Sequence, residues 1–167
     1  MGTKFTNWVE INLSAVEANT REVIQRTHTP LMAIVKANAY GHGMVEVARA
    51  CLQAGAGYLG VATLEEALTL RENQIDAPIL VLGYIDDDAS EMVVENHIDA
   101  TVYSTRFAQA LSRAAVKLAM PAQVHIKIDT GMGRIGFLPE SATCGIVRDI
   151  AALPGIFVKG IFSHFAT

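Results

Sequence analysis

Short apolar runs recur along the chain, each followed by a longer stretch with helical spacing of apolar positions. Leu31 to Val35, Tyr58 to Ala62, Ile79 to Leu82, Ala100 to Tyr103, Val124 to Ile128 and Val158 to Ser163 read as strands, because they are short, rich in branched residues and bounded by glycine, proline or charge. Near-continuous apolarity, instead of strict alternation, is what a parallel strand covered on both faces requires. The first segment differs: Thr6 to Leu13 alternates through Trp8, Val9, Ile11 and Leu13, which predicts a half-buried strand.

Helices fill the intervals. Ser14-Ala15-Val16-Glu17 has the form of a capping box, predicting a helix to Arg26, and Thr63-Leu64-Glu65-Glu66 predicts another to Asn73. Val45 to Ala54 is helical by spacing, with Gly55 as its stop. Asp88 to Asn96, a helix capped by Ser104 running to Ala119, and a helix with Pro139 in its first turn running to Ala152 complete the pattern. Regular strand–helix alternation predicts an α/β fold with a parallel sheet, a (β/α)8 barrel of the TIM type being the simplest form. An open, doubly wound sheet is the structural alternative. Six parallel strands fall short of the eight a closed barrel needs, so the chain is expected to be the front part of a larger protein.

Composition narrows the partners. The 167 residues are 51% hydrophobic with mean hydropathy +0.30, which suits a globular domain with much buried surface. A net charge of -4 and pI near 5.7 argue against nucleic acid or an anionic membrane surface as partner. The start lacks the apolar core of a signal peptide and no stretch is long and apolar enough to span a membrane, so a cytoplasmic protein is expected. Cys51 and Cys144 are too isolated for a disulfide framework or zinc site and receive no role; no metal site is expected either. His28, His42 and His97 read as loop or turn residues, and Asp86-Asp87-Asp88 as a solvated helix start.

Three segments carry chemistry. In Ala33-Ile34-Val35-Lys36-Ala37-Asn38-Ala39-Tyr40-Gly41-His42-Gly43, Lys36 leaves a predicted strand at its carboxyl end, where α/β folds bind ligands. An amine partly withdrawn from water is both a nucleophile toward an aldehyde and a base. A strand-end lysine taken alone is equally one that snorkels to solvent. In Lys127-Ile128-Asp129-Thr130-Gly131-Met132-Gly133-Arg134-Ile135-Gly136, Lys127 and Asp129 fall on one strand face, as an ion pair or as ligand groups, and Arg134 rises from a glycine-rich loop suited to an anionic oxygen. His164, in Ser163-His164-Phe165-Ala166-Thr167, again follows a strand; alone it is as well explained by a hydrogen bond to a neighbouring loop. Gly131-Gly133-Gly136 and Gly55-Gly57-Gly60 both spell G-x-G-x-x-G, but neither opens a helix, which excludes a dinucleotide fingerprint. No nucleophilic serine motif is present.

These motifs closely resemble those of alanine racemases, in order and over essentially the whole chain. The resemblance implies pyridoxal 5'-phosphate as cofactor, with Lys36 as its Schiff-base lysine and the base that takes the proton from D-alanine. It implies Tyr40 on the cofactor phosphate, Arg134 on the phenolic oxygen and the substrate side, His164 stacked on the pyridine ring, and Lys127 as a lysine that can be carbamylated to orient Arg134. It further implies a homodimer that interconverts L- and D-alanine and so supplies D-alanine for peptidoglycan. Residues 1–13 would then pair with a carboxyl-terminal β domain, and 14–167 would form the amino-terminal part of the barrel. The second base, a tyrosine of that domain reaching the partner's site, and the arginine that pairs with the pyridine nitrogen have no counterpart here. Tyr58, Tyr84 and Tyr103 sit in no matching motif. Two other functions stay open: a serine or broad-specificity racemase, and a non-catalytic pyridoxal-phosphate-binding barrel, although the latter proteins lack the Lys36 and Arg134 motifs. A fragment binding no cofactor is a further alternative for the isolated chain.

Overall fold

Six strands lie parallel and side by side in chain order in the computed structural model, which describes residues 7–167. They are β1 (Met32–Ile34), β2 (Tyr58–Val61), β3 (Ile79–Val81), β4 (Asp99–Val102), β5 (Ala122–Lys127) and β6 (Ile156–Phe162). A doubly wound sheet must reverse its strand order at a switch point. Here the order never reverses, from Met32 beside Tyr58 in the first pair to Lys127 beside Phe162 in the last. Right-handed crossovers in one direction put successive helices on one face of the sheet, so the sheet is an arc of a barrel.

The helices are α1 (Leu13–Thr27), a turn α2 (Lys36–Gly41), α3 (Met44–Gln53), α4 (Leu64–Glu72), α5 (Ser90–Glu95) after a 3-10 turn at Asp87–Ala89, α6 (Thr105–Leu118) and α7 (Ser141–Ala151). None of the described helices is long and apolar enough to cross a membrane. Alternation along the strands sorts side chains into two environments. Leu59 and Val61, Ile79 and Val81, and Val124 and Ile126 join the core with Leu70 of α4 and Phe107 and Leu111 of α6. Phe107 is 1% exposed, and burying such a side chain contributes roughly 1.5–3 kcal/mol. On the other, concave face stand Tyr58, Gly60, His125 and Lys127. Gly60 is needed there: a Cβ would come within 2.6 Å of Ile34 Cδ1.

Four local expectations change. Residues 7–12 form neither helix nor strand, and Thr6 lies outside the described residues. Alternation makes a strand only where a neighbouring strand offers backbone partners, and Trp8 and Val9 are exposed without one. Asn12, not Ser14, caps α1: its side chain accepts from the Ala15 amide at 3.0 Å, placing the helix start one residue before Ser14. Thr63 caps α4 as expected, but Glu66 does not return to the Thr63 amide; its carboxylate reaches Ala62 and Ala37 instead. Pro139 precedes α7 by two residues, because the Thr143 hydroxyl bonds back to the Leu138 carbonyl and delays the first turn.

Candidate active site

The chain leaves β1 into an unusual backbone. Ala37, Asn38, Ala39 and Tyr40 all have φ between 50° and 55° and ψ between 36° and 49°, so α2 is a left-handed turn. An L-residue there is disfavoured by roughly 1–2 kcal/mol, and such residues ordinarily occur singly. Four in succession persist only where other bonds fix them. The Ala39 amide donates to the Val35 carbonyl at 2.8 Å and the Gly43 amide to the Asn38 carbonyl. The Asn38 side chain accepts from the Met44 amide at 2.8 Å, tying the turn to α3. The Ala37 amide donates to Glu66 Oε1 at 2.6 Å. A left-handed turn sends Lys36 and Tyr40 along a path that a right-handed helix would not follow.

The second element is the loop after β5. Asp129 does not pair with Lys127: among the described residues no ion pair joins them. Its Oδ1 accepts from the Gly131 and Gly133 amides at 2.9 and 3.0 Å, and its Oδ2 from the Arg134 amide at 3.1 Å. The Gly133 and Gly131 amides are the main reason its carboxyl is held below the usual range. Phe137 returns to the strand end as a parallel bridge to Ile128, its amide donating to the Lys127 carbonyl and its carbonyl accepting from the Asp129 amide. Gly136, at φ 135°, permits this closure, since a Cβ would lie 2.7 Å from the Asp129 nitrogen. Arg134 is thereby carried on a ring of main-chain bonds with its guanidinium exposed.

Lys127 is 3% exposed at the end of β5, its ammonium 5.0 Å from the centre of the Phe162 ring. Burial is the first cause that pushes its pKa below the ordinary lysine value, and the Arg134 cation the second, with Asp129 opposing. His164 follows β6 and is exposed, its Nδ1 2.7 Å from the Phe165 carbonyl. The Thr130 and Ser163 hydroxyls, 2.6 Å apart, join the loops of β5 and β6.

Lys36, Tyr40, Lys127, Arg134 and His164 line one cavity of about 300 Å³ beyond the carboxyl ends of the strands. Met32, Ile34, Leu82 and Phe162 supply its apolar walls. A neighbouring cavity of about 260 Å³ shares Lys36, Leu82 and Arg134 and extends to Ala62, Gly83 and Tyr84. Residues from three separate strand ends thus converge, and all five sequence-derived candidates are together. Size, apolar walls and convergent polar groups suit a flat heteroaromatic ring bearing an anion. An amine, a phenol, a guanidinium and an imidazole are the donors such a ring with phosphate, aldehyde and phenolic oxygen would meet. The apolar walls were not singled out in the sequence, because their lumen position follows from register and not from residue type.

Residues 11–167 match the family "Alanine racemase, N-terminal domain". An alanine racemase of Methanococcus maripaludis is 47% identical over 161 residues, covering 95% of this chain and 43% of that protein. One of Symbiobacterium thermophilum is 47% identical over 162 residues, covering 96% and 42%. The solved alanine racemase of Clostridium difficile 630 superposes with a TM-score of 0.93 at 39% identity, over 99% of this chain and 44% of that one. A histidine racemase from Leuconostoc mesenteroides superposes with a TM-score of 0.85 at 31% identity, over 93% and 42%. This chain therefore spans less than half the length of these relatives. With its sequential parallel sheet and its match over residues 11–167, the chain belongs to the alanine racemase family, as that family's N-terminal domain.

Proposed function

We propose that this chain is the cofactor-holding barrel portion of a pyridoxal-phosphate-dependent alanine racemase, an isomerase that interconverts L- and D-alanine. The observation that carries this is the convergence of Lys36, Tyr40, Lys127, Arg134 and His164 on one cavity at the strand ends. When bound, pyridoxal 5'-phosphate supplies an electron sink for the pair left behind when an α-proton departs. Lys36 Nζ would hold that group and would serve as the base that takes the α-proton of D-alanine or returns it on the same face. The Tyr40 phenol would hold the phosphate and the His164 imidazole would hold the pyridine, both residues lining the cavity. The Arg134 guanidinium would hold the phenolic oxygen and the substrate side, an anion-directed role suited to its planar fork of donors.

Lys127 adds a charge control. Its ammonium stands beside another cation, whereas its lowered pKa leaves more neutral amine to combine with carbon dioxide. That reaction releases one proton and yields a carbamate, whose negative charge attracts Arg134 where the ammonium repels it.

The second base is assigned to a tyrosine of a carboxyl-terminal domain, delivered from the other subunit of a homodimer. Residues 1–13 are assigned to pairing with that domain and 14–167 to the barrel. The product would be D-alanine for peptidoglycan, made in the cytoplasm. A racemase acting on another amino acid is the second reading, since a histidine racemase superposes on this chain at 31% identity. A non-catalytic cofactor barrel is disfavoured by the alanine racemases at 47% identity. Solvent deuterium uptake at Cα, measured on the full-length polypeptide with alanine, serine and histidine, tests these readings together. Exchange fastest with alanine and accompanied by inversion is expected; exchange fastest with histidine would move the assignment to the second reading, and none with any amino acid would remove the racemase.

A further inference from the structure

We infer that Glu66 is a positioning residue for the cofactor lysine, acting through the backbone of the left-handed turn. The inference rests on the reading of Lys36 as the pyridoxal-phosphate lysine. Glu66 lies in the first turn of α4, where its motif predicts a purely local cap. Its carboxylate instead bridges two strand ends: Oε1 accepts from the Ala37 amide at 2.6 Å, and Oε2 from the Ala62 amide at 2.8 Å. Ala37 directly follows Lys36, so its amide belongs to the Lys36 peptide plane. Ala62 borders the cavity that Lys36 and Arg134 share.

The Ala37 amide is the first of the left-handed turn, and Glu66 is its acceptor. The other bonds that hold the turn run from Ala39 back to Val35 and from Gly43 and Met44 back to Asn38, and none of them engages the Ala37 amide. Without Glu66 the Ala37 amide loses its fixed acceptor to solvent, and the disfavoured conformation at Ala37 keeps one restraint fewer. Rotation there would swing the Lys36 stem and, through the next three residues, the Tyr40 phenol. A group held at one end by an amine and at the other by a phenol is sensitive to both. Glu66 thus fixes the distance between two contacts to one ligand while touching neither that ligand nor the reacting atoms.

Glu66→Ala removes both acceptors, and Glu66→Gln keeps the volume and one carbonyl acceptor while placing an NH2 where an amide must be received. Both are made in the full-length polypeptide. Without cofactor, amide hydrogen exchange over residues 36–43 should quicken by about tenfold in Glu66→Ala, with residues 105–118 of α6 unchanged. With cofactor, pyridoxal 5'-phosphate affinity should weaken by about tenfold, with the absorbance–pH profile displaced and Glu66→Gln intermediate. Thermal unfolding monitors the structural role separately. Lower stability with cofactor affinity and absorbance–pH profile both unchanged would make Glu66 an ordinary helix cap and overturn the inference. A parent protein that takes no cofactor on Lys36 would overturn it differently, by removing the reading on which it rests.

Discussion

Lys36 and Lys127 show how two amines in one cavity come to different tasks. Lys36 stands half-buried at the mouth, joined to an exceptional backbone; Lys127 is sunk against Phe162 beside Arg134. Replacing Lys36 by Ala in the full-length polypeptide should lower the racemisation rate by roughly 10²–10⁴-fold or more, read by a D-amino-acid-specific coupled assay. A loss of only severalfold would show that another group moves the proton. For Lys127 the folded-state pKa lies below its unfolded value, so the unfolded chain binds more protons between the two. Stability therefore rises with pH from the folded pKa up toward 10.5, and the penalty of the buried ammonium is fully present below that window. Urea midpoints measured across that range without bicarbonate should climb in the parent and stay level in Lys127→Met. Both residues were legible as candidates in the sequence, because a charge at the end of an apolar run is conspicuous. Their different depths were not, since depth depends on which neighbours the barrel's curvature brings.

Elements were legible where local chemistry and tertiary packing agree. Ser104 and Thr63 cap the helices they were expected to cap, since nothing else competes for their oxygens. Residues 7–12 fail as a strand because alternation supplies a face but not a partner. The left-handed turn was invisible: alanine, asparagine, alanine and tyrosine carry no signal for four consecutive positive φ values, which are held by main-chain bonds to Val35 and Gly43 together with bonds from α3 and α4. A simpler positive φ gives a test. Ala119 ends α6 at φ 52°, the position glycine usually takes, so Ala119→Gly should stabilise the fold by about 0.5–1 kcal/mol in urea titration. Destabilisation would mean that the methyl packs better than the backbone conformation suggests. At Gly136 the reverse holds: Gly136→Ala should loosen the Arg134 loop and cost about 1–3 kcal/mol, seen as a lower unfolding temperature together with weaker anion protection of Arg134 from phenylglyoxal.

At the scale of the whole molecule, the barrel arc has two polar layers on its concave face. The upper one is the candidate site. Lower down, Asp99 of β4, His125 of β5 and Lys159 of β6 meet, with Lys159 Nζ 3.0 Å and His125 Nε2 3.5 Å from Asp99 Oδ2, and Tyr58 of β2 hydrogen-bonded to His125 at 3.2 Å. Gly160 makes room for the His125 ring, which a Cβ would approach to 2.9 Å. Asp99 is 2% exposed, so Lys159→Met, which removes the ammonium 3.0 Å from its carboxylate and leaves only His125 beside it, should destabilise by about 3 kcal/mol in denaturant titration. An effect under about 0.5 kcal/mol would assign the pair no more weight than a surface ion pair. Each of these side chains comes from a different strand, which is why no stretch of sequence reveals the cluster. Strand order, by contrast, follows from regular alternation and right-handed crossovers, and the family match over residues 11–167 agrees with it.

The central claim is that Lys36 is the residue that holds the cofactor. The most direct measurement incubates the full-length polypeptide with pyridoxal 5'-phosphate, reduces it with borohydride and locates the added mass by peptide mapping. The account predicts a phosphopyridoxyl group on the peptide containing Lys36, formed at one equivalent and absent in Lys36→Ala. Labelling spread over surface lysines, or centred on Lys127, would contradict it.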